Sequence, residues 1–416
     1  MTAPLHGIRV IDLTAMVSGP LATMMLADQG AEVIKVENPA GGDFTRLAAN
    51  RQAGFAASYL NNNRNKRSVA LNLKEPEGKE ALLKLIAGAD VFVQNFRPGV
   101  IERMGFGEEA VRKVAPDIVY VSISGFGETG PYADRPVYDP LIQGLSGLAS
   151  VQAGSDERRP QLVRTILPDK LTGVTAAQAI TAALFARERT GVAQHVRLSM
   201  LDAVIAFLWG SDMGSQTFVQ NELPQQEAAS FQDLIYETTD GYITVAVQND
   251  REWQALLRAL EKEEWAEDPR FLDAELRQQN IDARLELTQS VLRTNTSGYW
   301  LARLEAERVP CAPVLTRHQM IRHPQVEATG IVREYEHPEA GRLRQARAAA
   351  RFSGAELPAP APAPALGADT RALLGALGYD DATLTDLARR GVIGAINLES
   401  NTASDAESDT ASEDSE

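Results

Sequence analysis

The sequence lacks the features that mark secreted, membrane-spanning and zinc-binding proteins. Its 416 residues contain one cysteine, Cys311, so the chain cannot form an internal disulfide, which fits a reducing cytoplasm. It has no run of about 18 apolar residues, and the opening MTAPLHGIRVIDLT lacks the basic start and apolar core of a signal peptide. Five scattered histidines leave no dense cluster of soft ligands. We therefore expect a cytoplasmic protein without a membrane span or a metal site.

Basic residues are also scarce relative to acidic ones, with 41 lysines and arginines against 56 aspartates and glutamates. The net charge of −15 argues against a general nucleic-acid binder. Part of the excess lies at residues 397–416, which carry seven acidic residues and no basic one. Such composition is typical of disordered segments, so we predict a disordered acidic tail at 396–416 without a catalytic role.

A glycine fingerprint for dinucleotides is missing as well, although the first elements invite one. Residues 7–37 have the pattern of strand, turn, helix and strand, which predicts a βαβ unit with parallel strands. Its first turn, TAMVSGPLA, contains no G-x-G-x-x-G pattern, whose glycines let the backbone approach a pyrophosphate. A nicotinamide or flavin cofactor is therefore not expected.

What the sequence does contain is a long alternation of strand and helix patterns, typical of an open α/β sheet. The predicted strands cover 90–93, 118–124 and 194–200, and the predicted helices 75–88, 99–114, 169–190 and 201–219. From about 225 the composition changes, with a strand at 241–250 and charged helices at 251–259, 283–293 and 297–307. No element is assigned to 341–354, whereas 357–366 is a Pro-Ala connector before short helices at 370–377 and 382–390.

The chain is long for one hydrophobic core, so two domains are expected. The fold class is α/β, with a large Rossmann-like domain built on an open parallel sheet and a smaller α+β domain. The predicted boundaries are a large domain at 1–200, a linker at 201–225, a small domain at 226–325, a return to the large domain at 326–395, and the tail.

Two segments at the ends of strands carry candidate binding residues. The segment NRNKRSVALNLK has four basic residues, which suit either a nucleotide phosphate or a solvated loop: Arg64, Lys66, Arg67 and Lys74. Asn95, Phe96 and Arg97 directly follow a predicted strand, at the edge where open α/β sheets bind ligands. The alternative for these three is an ordinary turn containing Pro98 and Gly99.

Two further segments carry candidate catalytic residues. The long Gly-rich loop at 124–147 exposes backbone N–H groups that suit an oxyanion, and it contains Tyr138 and Asp139. Asp169 stands at the start of a predicted helix, where an aspartate favours the N-cap position and the helix dipole favours its ionised form. An ionised carboxylate can also attack a thioester and form a covalent intermediate. The local sequence leaves the structural cap and the nucleophile open as alternatives.

The segments together resemble the class III CoA-transferases, whose fold is shared by the alpha-methylacyl-CoA racemases. The resemblance covers about 5–395 and depends on an ordered series of segments: GIRVIDLT…SGPLATMMLADQGAEVIKVE, GGDFTR, NRNKRSVALNLK, VFVQNFRPGVIERMGFG, YVSISGFGETGPYADRPVYD, ALFARERTGVAQHVRLSMLDA and VPCAPVLT. It implies that Asp169 is the nucleophile, which forms an acyl anhydride and then an aspartyl-CoA thioester before an acceptor acid takes the CoA. It implies no metal or organic cofactor, with acyl-CoA and a carboxylic acid, such as a dicarboxylate, as substrates.

The resemblance also assigns binding residues. It places Tyr138 and Asp139 with Asp169 at the reacting centre, and it assigns CoA contacts to Val17, Ser18, Asn38, Leu71, Asn72, Leu73, Lys74, Asn95, Phe96, Arg97, Arg103, Val137 and Tyr138. Asn38 departs from the arginine that relatives often carry, so contacts there must differ. The small domain lacks the glycine run of the formyl-CoA transferases after 242–253, which argues against oxalate and formate as substrates. The roles of Arg164, a second-carboxylate contact or a structural ion pair, stay open.

The resemblance also leaves two alternative functions to weigh and implies a dimeric assembly. Racemases of this fold carry a histidine directly before the aspartate of the YD pair, whereas this chain has Tyr138, a poor proton shuttle with a pKa near 10. A 2-methylacyl-CoA racemase using Asp169 as acid and base is therefore the alternative, and a non-catalytic CoA-ester binding protein ranks last. The family forms an interlocked dimer, so the resemblance implies an obligate homodimer whose linkers, near 190–225 and 310–335, span the partner.

Overall fold

The computed structural model describes residues 2–219 and 234–394, so the acidic tail predicted at 396–416 lies outside the described residues. The described chain divides into two compact units. The larger unit contains residues up to 147, 163–210 and those from 333 onward, and the smaller one contains 148–162 and 211–332.

The structure contains thirteen described strands. They are β1 Arg9–Asp12, β2 Glu32–Glu37, β3 Arg51–Gln52, β4 Phe55–Ala56, β5 Lys66–Ala70, β6 Val91–Gln94, β7 Val119–Ser124, β8 His195–Ser199, β9 Ile235–Glu237, β10 Tyr242–Val245, β11 Cys311–Pro313, β12 Val332–His337 and β13 Gly341–Ala346.

The described α-helices number seventeen. They are α1 Ser18–Asp28, α2 Ala57–Asn63, α3 Pro76–Ala87, α4 Val100–Met104, α5 Glu108–Val114, α6 Asp139–Leu145, α7 Leu148–Ala153, α8 Leu167–Thr190, α9 Met200–Leu208, α10 Asp250–Leu260, α11 Ala274–Gln279, α12 Ile281–Leu292, α13 Ser297–Ala306, α14 Arg317–Met320, α15 Pro324–Thr329, α16 Thr370–Gly375 and α17 Asp381–Arg389. Short 3₁₀ helices occur at Phe44–Leu47, Gly214–Gln216 and Glu263–Glu267.

The larger unit is built on a six-stranded sheet in the order β5-β2-β1-β6-β7-β8. Every neighbouring pair is parallel, as the βαβ pattern predicts. The alternating side chains of the inner strands are buried on both faces, because helices cover both sides of a parallel sheet, whereas the edge strand β8 is only partly buried. On one face Val10 and Val33 pack against α1 and α8, and on the other Ile11 and Phe92 pack against α3 and α5.

The smaller unit has a three-stranded antiparallel sheet in the order β11-β10-β9. Its core collects Ile243 of β10, Trp253 of α10 and Trp300 of α13. An antiparallel sheet packed on helices agrees with the α+β character predicted from the charged helical segments that follow residue 240.

Three sequence-based assignments need correction. The helix predicted at 99–114 is two helices, because Gly105 takes a left-handed conformation with φ of +92° and ends α4. The helix predicted at 201–219 ends at Leu208. The unassigned segment 341–354 contains β13, which pairs with β12 in a two-stranded sheet.

Among the helices of the described ranges, none combines the length and the apolar character that crossing a bilayer requires.

Candidate active site

Loops that follow four strands of the parallel sheet meet the start of α8 around one cavity of about 150 Å³. The carboxyl ends of parallel strands lie at one edge, and the crevice opens where the strand order reverses, here between β1 and β6. The cavity is lined by Met16, Ser18, Asn95, Phe96, Arg97, Pro98, Ile123, Ser124, Gly125, Phe126, Ala133, Arg135, Val137, Tyr138, Asp169 and Met200.

Asp169 enters the cavity from the first turn of α8. The helix begins at Leu167, with Pro168 in the first turn, where a missing N–H costs no hydrogen bond. Ile166 is the N-cap residue and makes no side-chain cap. The alternative in which Asp169 caps the helix is therefore wrong, and the backbone N–H and hydroxyl of Ser18 instead favour the ionised form of its carboxylate.

A second carboxylate lies beside Asp169. The Asp139 side chain is buried, receives a hydrogen bond from Gln143 Nε2 at 2.6 Å, and lies 3.4 Å from the backbone nitrogen of Asp169. Burial and, second, the charge of Asp139 raise the pKa of Asp169 to about 6, against the opposing effect of the Ser18 hydrogen bonds. Helix-dipole reasoning predicts a readily ionised Asp169, so this raised pKa corrects that expectation.

Close packing of two helices sets the distance between Asp169 and Ser18. A Cβ atom at Gly173, one turn after Asp169, would lie 2.8 Å from the backbone oxygen of Ser18. Only glycine permits this approach without a backbone shift. The starts of α1 and α8 are thereby held together at the edge of the cavity.

The loop after β1 is fixed in an unusual conformation. Met16 has a left-handed φ of +71°, and its N–H donates to Asp43 Oδ1 at 3.2 Å. The Asn95 side chain holds the preceding residue from both sides, accepting from the Ala15 N–H at 3.0 Å and donating to the Ala15 oxygen at 2.8 Å. The Asn95 amide, assigned above as a CoA contact, thus also joins the loops after β1 and β6.

A buried ion network lies beneath this loop. Lys66 Nζ is 3.0 Å from Asp12 Oδ2, and Lys35 Nζ is 2.9 Å from Asp43 Oδ2, with all four side chains at most 1% exposed. The two lysines and two hydroxyl groups hold the pKa of Asp12 far below its usual range despite burial. Including the pair of Arg46 and Glu37 at 2.7 Å, the network contains three carboxylates and three cations.

The basic segment before α3 is used mainly inside the protein. Arg64 pairs with Asp28 at 2.5 Å, Lys66 belongs to the ion network, and Arg67 pairs with Glu32 at 2.9 Å. Arg64 and Lys66 are therefore buried in ion pairs and unavailable to a nucleotide phosphate, whereas Arg67 is paired but partly exposed. Only Lys74 of the four is exposed.

The structure brings part of the predicted site together around the cavity. The predicted residues that line it are Ser18, Asn95, Phe96, Arg97, Val137, Tyr138 and Asp169. The predicted residues outside its lining are Val17, Asn38, Leu71, Asn72, Leu73, Lys74, Arg103 and Asp139. Of these, Val17 is the N-cap residue of α1, the exposed Asn38 accepts from the Ala40 N–H at 2.9 Å, and residues 71–74 connect β5 to α3.

Sequence reasoning overlooked several residues that line the cavity. Arg135 is stacked on the ring of Tyr132 at 3.7 Å, and Tyr132 in turn packs against Phe126 at 5.4 Å. Met200 begins α9 directly after β8. The rule that ligands bind beyond strand ends points to Phe126 and Met200, whereas no local signal marks Arg135.

Comparison with known proteins gives one consistent result. Residues 5–370 match the model of CoA-transferase family III. The human succinyl-CoA:glutarate CoA-transferase is 33% identical over 94% of this chain and 90% of its own. A formyl-CoA:oxalate CoA-transferase of Escherichia coli is 34% identical over 92% of this chain and 97% of its own.

Solved structures agree with the sequence matches. A CAIB/BAIF family protein from Brucella suis superimposes with a TM-score of 0.80 at 31% identity, covering 91% of this chain and all of the other. Its similarity extends to the mixed α/β architecture with the large parallel sheet. The chain therefore belongs to CoA-transferase family III and is a class III CoA-transferase.

Proposed function

We propose that the enzyme moves CoA from an acyl-CoA to a carboxylic acid through covalent intermediates on Asp169. The observation that carries the proposal is the position of this carboxylate, which lines the cavity together with Ser18 at the start of α1. Relatives named for glutarate, succinate and oxalate support a dicarboxylate as the acceptor. Tyr138 lines the same cavity, and Asp139 acts through its charge beside Asp169.

The reaction proceeds through two anhydrides, each formed with the Asp169 carboxylate. The Asp169 carboxylate attacks the thioester carbonyl, the C–S bond breaks, and CoA leaves as a thiolate while an anhydride forms. The thiolate then attacks the Asp169 carbonyl, which releases the donor acid and gives an aspartyl-CoA thioester. The acceptor carboxylate then attacks the carbonyl of the aspartyl-CoA thioester, which releases the CoA thiolate and forms a second anhydride. The thiolate attacks the acceptor carbonyl of this anhydride, which gives the acceptor's CoA thioester and frees the Asp169 carboxylate. The thioester is conserved throughout, so the scheme needs no metal or organic cofactor.

The raised pKa of Asp169 suits the role of nucleophile. A carboxylate with a pKa of about 6 is ionised at neutral pH and more basic than an ordinary aspartate. Held in place beside the bound thioester, it reacts at high effective concentration. Backbone N–H groups of the Gly-rich loop after β7, which contributes Gly125 to the cavity, are the proposed oxyanion donors.

The proposal includes assembly and location. We propose an interlocked homodimer, active in the cytoplasm, whose chains have the predicted large domain at 1–200 and 326–395 and the predicted small domain at 226–325. Large apolar side chains support an extensive interface: Phe185 of α8 is 65% exposed, and Phe207 and Trp209 at the end of α9 are 52% and 51% exposed. Sedimentation of the full chain tests the dimer.

Isotope transfer tests the nucleophile. The enzyme is incubated with succinyl-CoA and glutarate labelled with ¹⁸O in both carboxyl groups, and the peptide containing Asp169 is analysed by mass spectrometry. Each turnover leaves one acceptor oxygen on the enzyme, so we expect ¹⁸O in Asp169. Asp169→Ala abolishes both the label and CoA exchange, whereas Asp282→Asn, an exposed first-turn aspartate of α12, changes neither.

Two results would refute the scheme. Retention of CoA exchange in Asp169→Ala would exclude Asp169 as the nucleophile. Incorporation of deuterium at the α-carbon of a 2-methylacyl-CoA in D₂O, without CoA exchange, would establish the racemase alternative, in which Asp169 transfers a proton.

A further inference from the structure

Four side chains form a continuous hydrogen-bonded chain from the start of α5 to the wall of the cavity. Glu108 Oε2 lies 2.6 Å from His195 Nδ1, and His195 Nε2 lies 2.9 Å from Ser122 Oγ. Gln94 Nε2 donates to Ser122 Oγ at 3.0 Å, and Gln94 Oε1 accepts from the backbone N–H of Phe96 at 2.8 Å. We infer that Gln94, Ser122, His195 and Glu108 form a relay that positions Phe96 for binding the CoA ester, an inference that rests on the proposed function.

The groups at the ends of the chain determine the direction of its hydrogen bonds. Because the Phe96 N–H can only donate, the carboxamide of Gln94 must present its oxygen there and its nitrogen to Ser122. Ser122 Oγ then accepts one bond and has one proton to donate, which goes to His195 Nε2. Nδ1 of the same ring faces a carboxylate, which can only accept, so Nδ1 carries a proton and donates it to Glu108. Every donor and acceptor in the relay is therefore used in one consistent direction.

The relay lies where it can act on the site. Gln94, Ser122 and His195 come from the adjacent strands β6, β7 and β8, so the sheet itself fixes their spacing. Their side chains line a cavity of about 360 Å³ that also includes Phe96 and Arg97. Phe96 and Arg97 line the Asp169 cavity as well, so a change in the relay alters the position of residues that we propose to contact CoA.

The remaining contacts hold the relay from outside. The Tyr120 ring packs edge-on against His195 at 4.7 Å, and Arg112 and Arg197 both donate to Glu108, at 2.9 and 3.4 Å. These contacts keep a negative charge beside the imidazole and prevent the ring from turning. The roles assigned to His195 and Glu108 are therefore those of positioning residues.

A serine, histidine and glutamate in this order also have the geometry of a hydrolytic triad. Two observations favour positioning over nucleophilic attack by Ser122. The residue is only 8% exposed within the central sheet, and its oxygen already accepts a bond from Gln94. The two roles predict different kinetics, which the following experiment separates.

Ser122→Ala and His195→Ala are compared with the wild type as full-length dimeric enzyme. In Ser122→Ala the amide nitrogen of Gln94 loses its acceptor, and in His195→Ala the Ser122 hydroxyl loses the partner that orients it, so that the bond from the Phe96 N–H to Gln94 is weakened in both variants. We expect the KM for succinyl-CoA to rise about three- to tenfold, with kcat and the KM for glutarate changed less than about twofold. Hydrogen exchange measured by mass spectrometry should be faster at the Phe96 amide in both variants.

Two controls isolate the relay. Tyr120→Phe keeps the ring that packs against His195 and removes only the buried hydrogen bond from its hydroxyl to the Phe106 oxygen at 2.8 Å, so it should leave both the exchange at Phe96 and the KM unchanged. Glu108→Gln keeps an acceptor for His195 and should retain more of the wild-type KM than Glu108→Ala does.

Unchanged exchange at Phe96 together with an unchanged KM in Ser122→Ala would overturn the inference. A loss of kcat with loss of succinyl-CoA hydrolysis would also overturn it, because Ser122 would then be a nucleophile. The exchange measurement requires no turnover, so the relay can be confirmed or refuted even if the scheme through Asp169 fails.

Discussion

Two groups of buried carboxylates lie close together at the carboxyl edge of the same sheet, and they have opposite electrostatic surroundings. In the ion network, Asp12 and Asp43 face lysine ammonium groups at 3.0 and 2.9 Å. In the cavity, Asp169 has a second carboxylate, Asp139, as its charged neighbour. Cations lower the pKa of Asp12 and Asp43, whereas burial and Asp139 raise that of Asp169 to about 6.

This electrostatic difference corresponds to a difference in role: Asp12 and Asp43 hold the backbone, whereas Asp169 is the proposed nucleophile. Each carboxylate of the network is also hydrogen-bonded to the loop that it supports: Asp12 accepts from the Thr14 N–H at 2.9 Å and Asp43 from the Met16 N–H at 3.2 Å. For Asp169 the charged group that shifts the pKa is a carboxylate, Asp139, and not a lysine. A carboxylate that is paired with a lysine is a poorer nucleophile, so these surroundings suit Asp169 better than Asp12 or Asp43 for the proposed role.

The largest effect is expected from breaking a pair in the network. Lys66→Met leaves Asp12 buried with one fewer cation, and removing one partner of a buried pair costs about 3–5 kcal/mol of unfolding free energy. Urea denaturation at pH 7 measures the loss. The double variant Asp12→Asn with Lys66→Met should recover part of it, and a double variant as unstable as the sum of the single ones would contradict this account.

Removal of the Asp169 carboxylate should increase the free energy of unfolding, in contrast to the loss expected for Lys66→Met. Because the folded pKa of Asp169 is raised, its contribution to stability is fully present below about pH 4 and is lost as pH rises through about 6. Asp169→Asn should therefore increase the unfolding free energy at pH 7.5 by about 1–3 kcal/mol. The gain should vanish near pH 4, which denaturation at the two pH values measures, and destabilisation at pH 7.5 would contradict the prediction.

A smaller effect is expected from changing the neighbour. Asp139→Asn keeps an acceptor for Gln143 and removes the charge that is the second cause of the raised pKa of Asp169. The acid limb of kcat/KM should move to lower pH without reaching the ordinary aspartate value, because burial is the larger cause. Activity at pH 5 relative to pH 7.5 should rise about three- to fivefold. An unmoved acid limb would show that Asp139 does not act through its charge.

The smallest effect belongs to a pair at the surface. Arg67 is 37% exposed and pairs with Glu32 at 2.9 Å, outside both groups. Arg67→Gln should lower the unfolding free energy by less than about 1 kcal/mol, because water and salt screen an exposed pair. A loss as large as that of Lys66→Met would mean that burial does not distinguish these cations.

The contrast between these regions shows what sequence patterns can predict. The parallel sheet follows from the βαβ pattern, and most strand and helix positions follow from apolar periodicity. Lys66 and Arg67 are adjacent and chemically alike in the sequence, yet one is buried and the other half-exposed, since their side chains point to opposite faces of β5. Their partners, Asp12 and Glu32, lie 54 and 35 residues away.

The lining of the cavity was predictable where it follows strand ends and the family pattern, as for Phe96 and Asp169. Local reasoning failed on the position of Asp169 in its helix, because Pro168 is accommodated inside the first turn. It also overlooked Arg135 and the His195 relay, whose members are neighbours only after β6, β7 and β8 pair. Their relations are set by tertiary structure.

The close approach at Gly173 has a consequence for reading variant libraries. A methyl group there would meet the Ser18 backbone oxygen and force α1 and α8 apart, which would move the Ser18 donors away from the Asp169 carboxylate. A substitution at Gly173 removes no polar atom and lies a full helical turn from the carboxylate. In a screen of variants it would nevertheless be recorded as a loss of activity. The absence of one carbon atom at Gly173 therefore matters to the proposed nucleophile as much as the carboxylate itself.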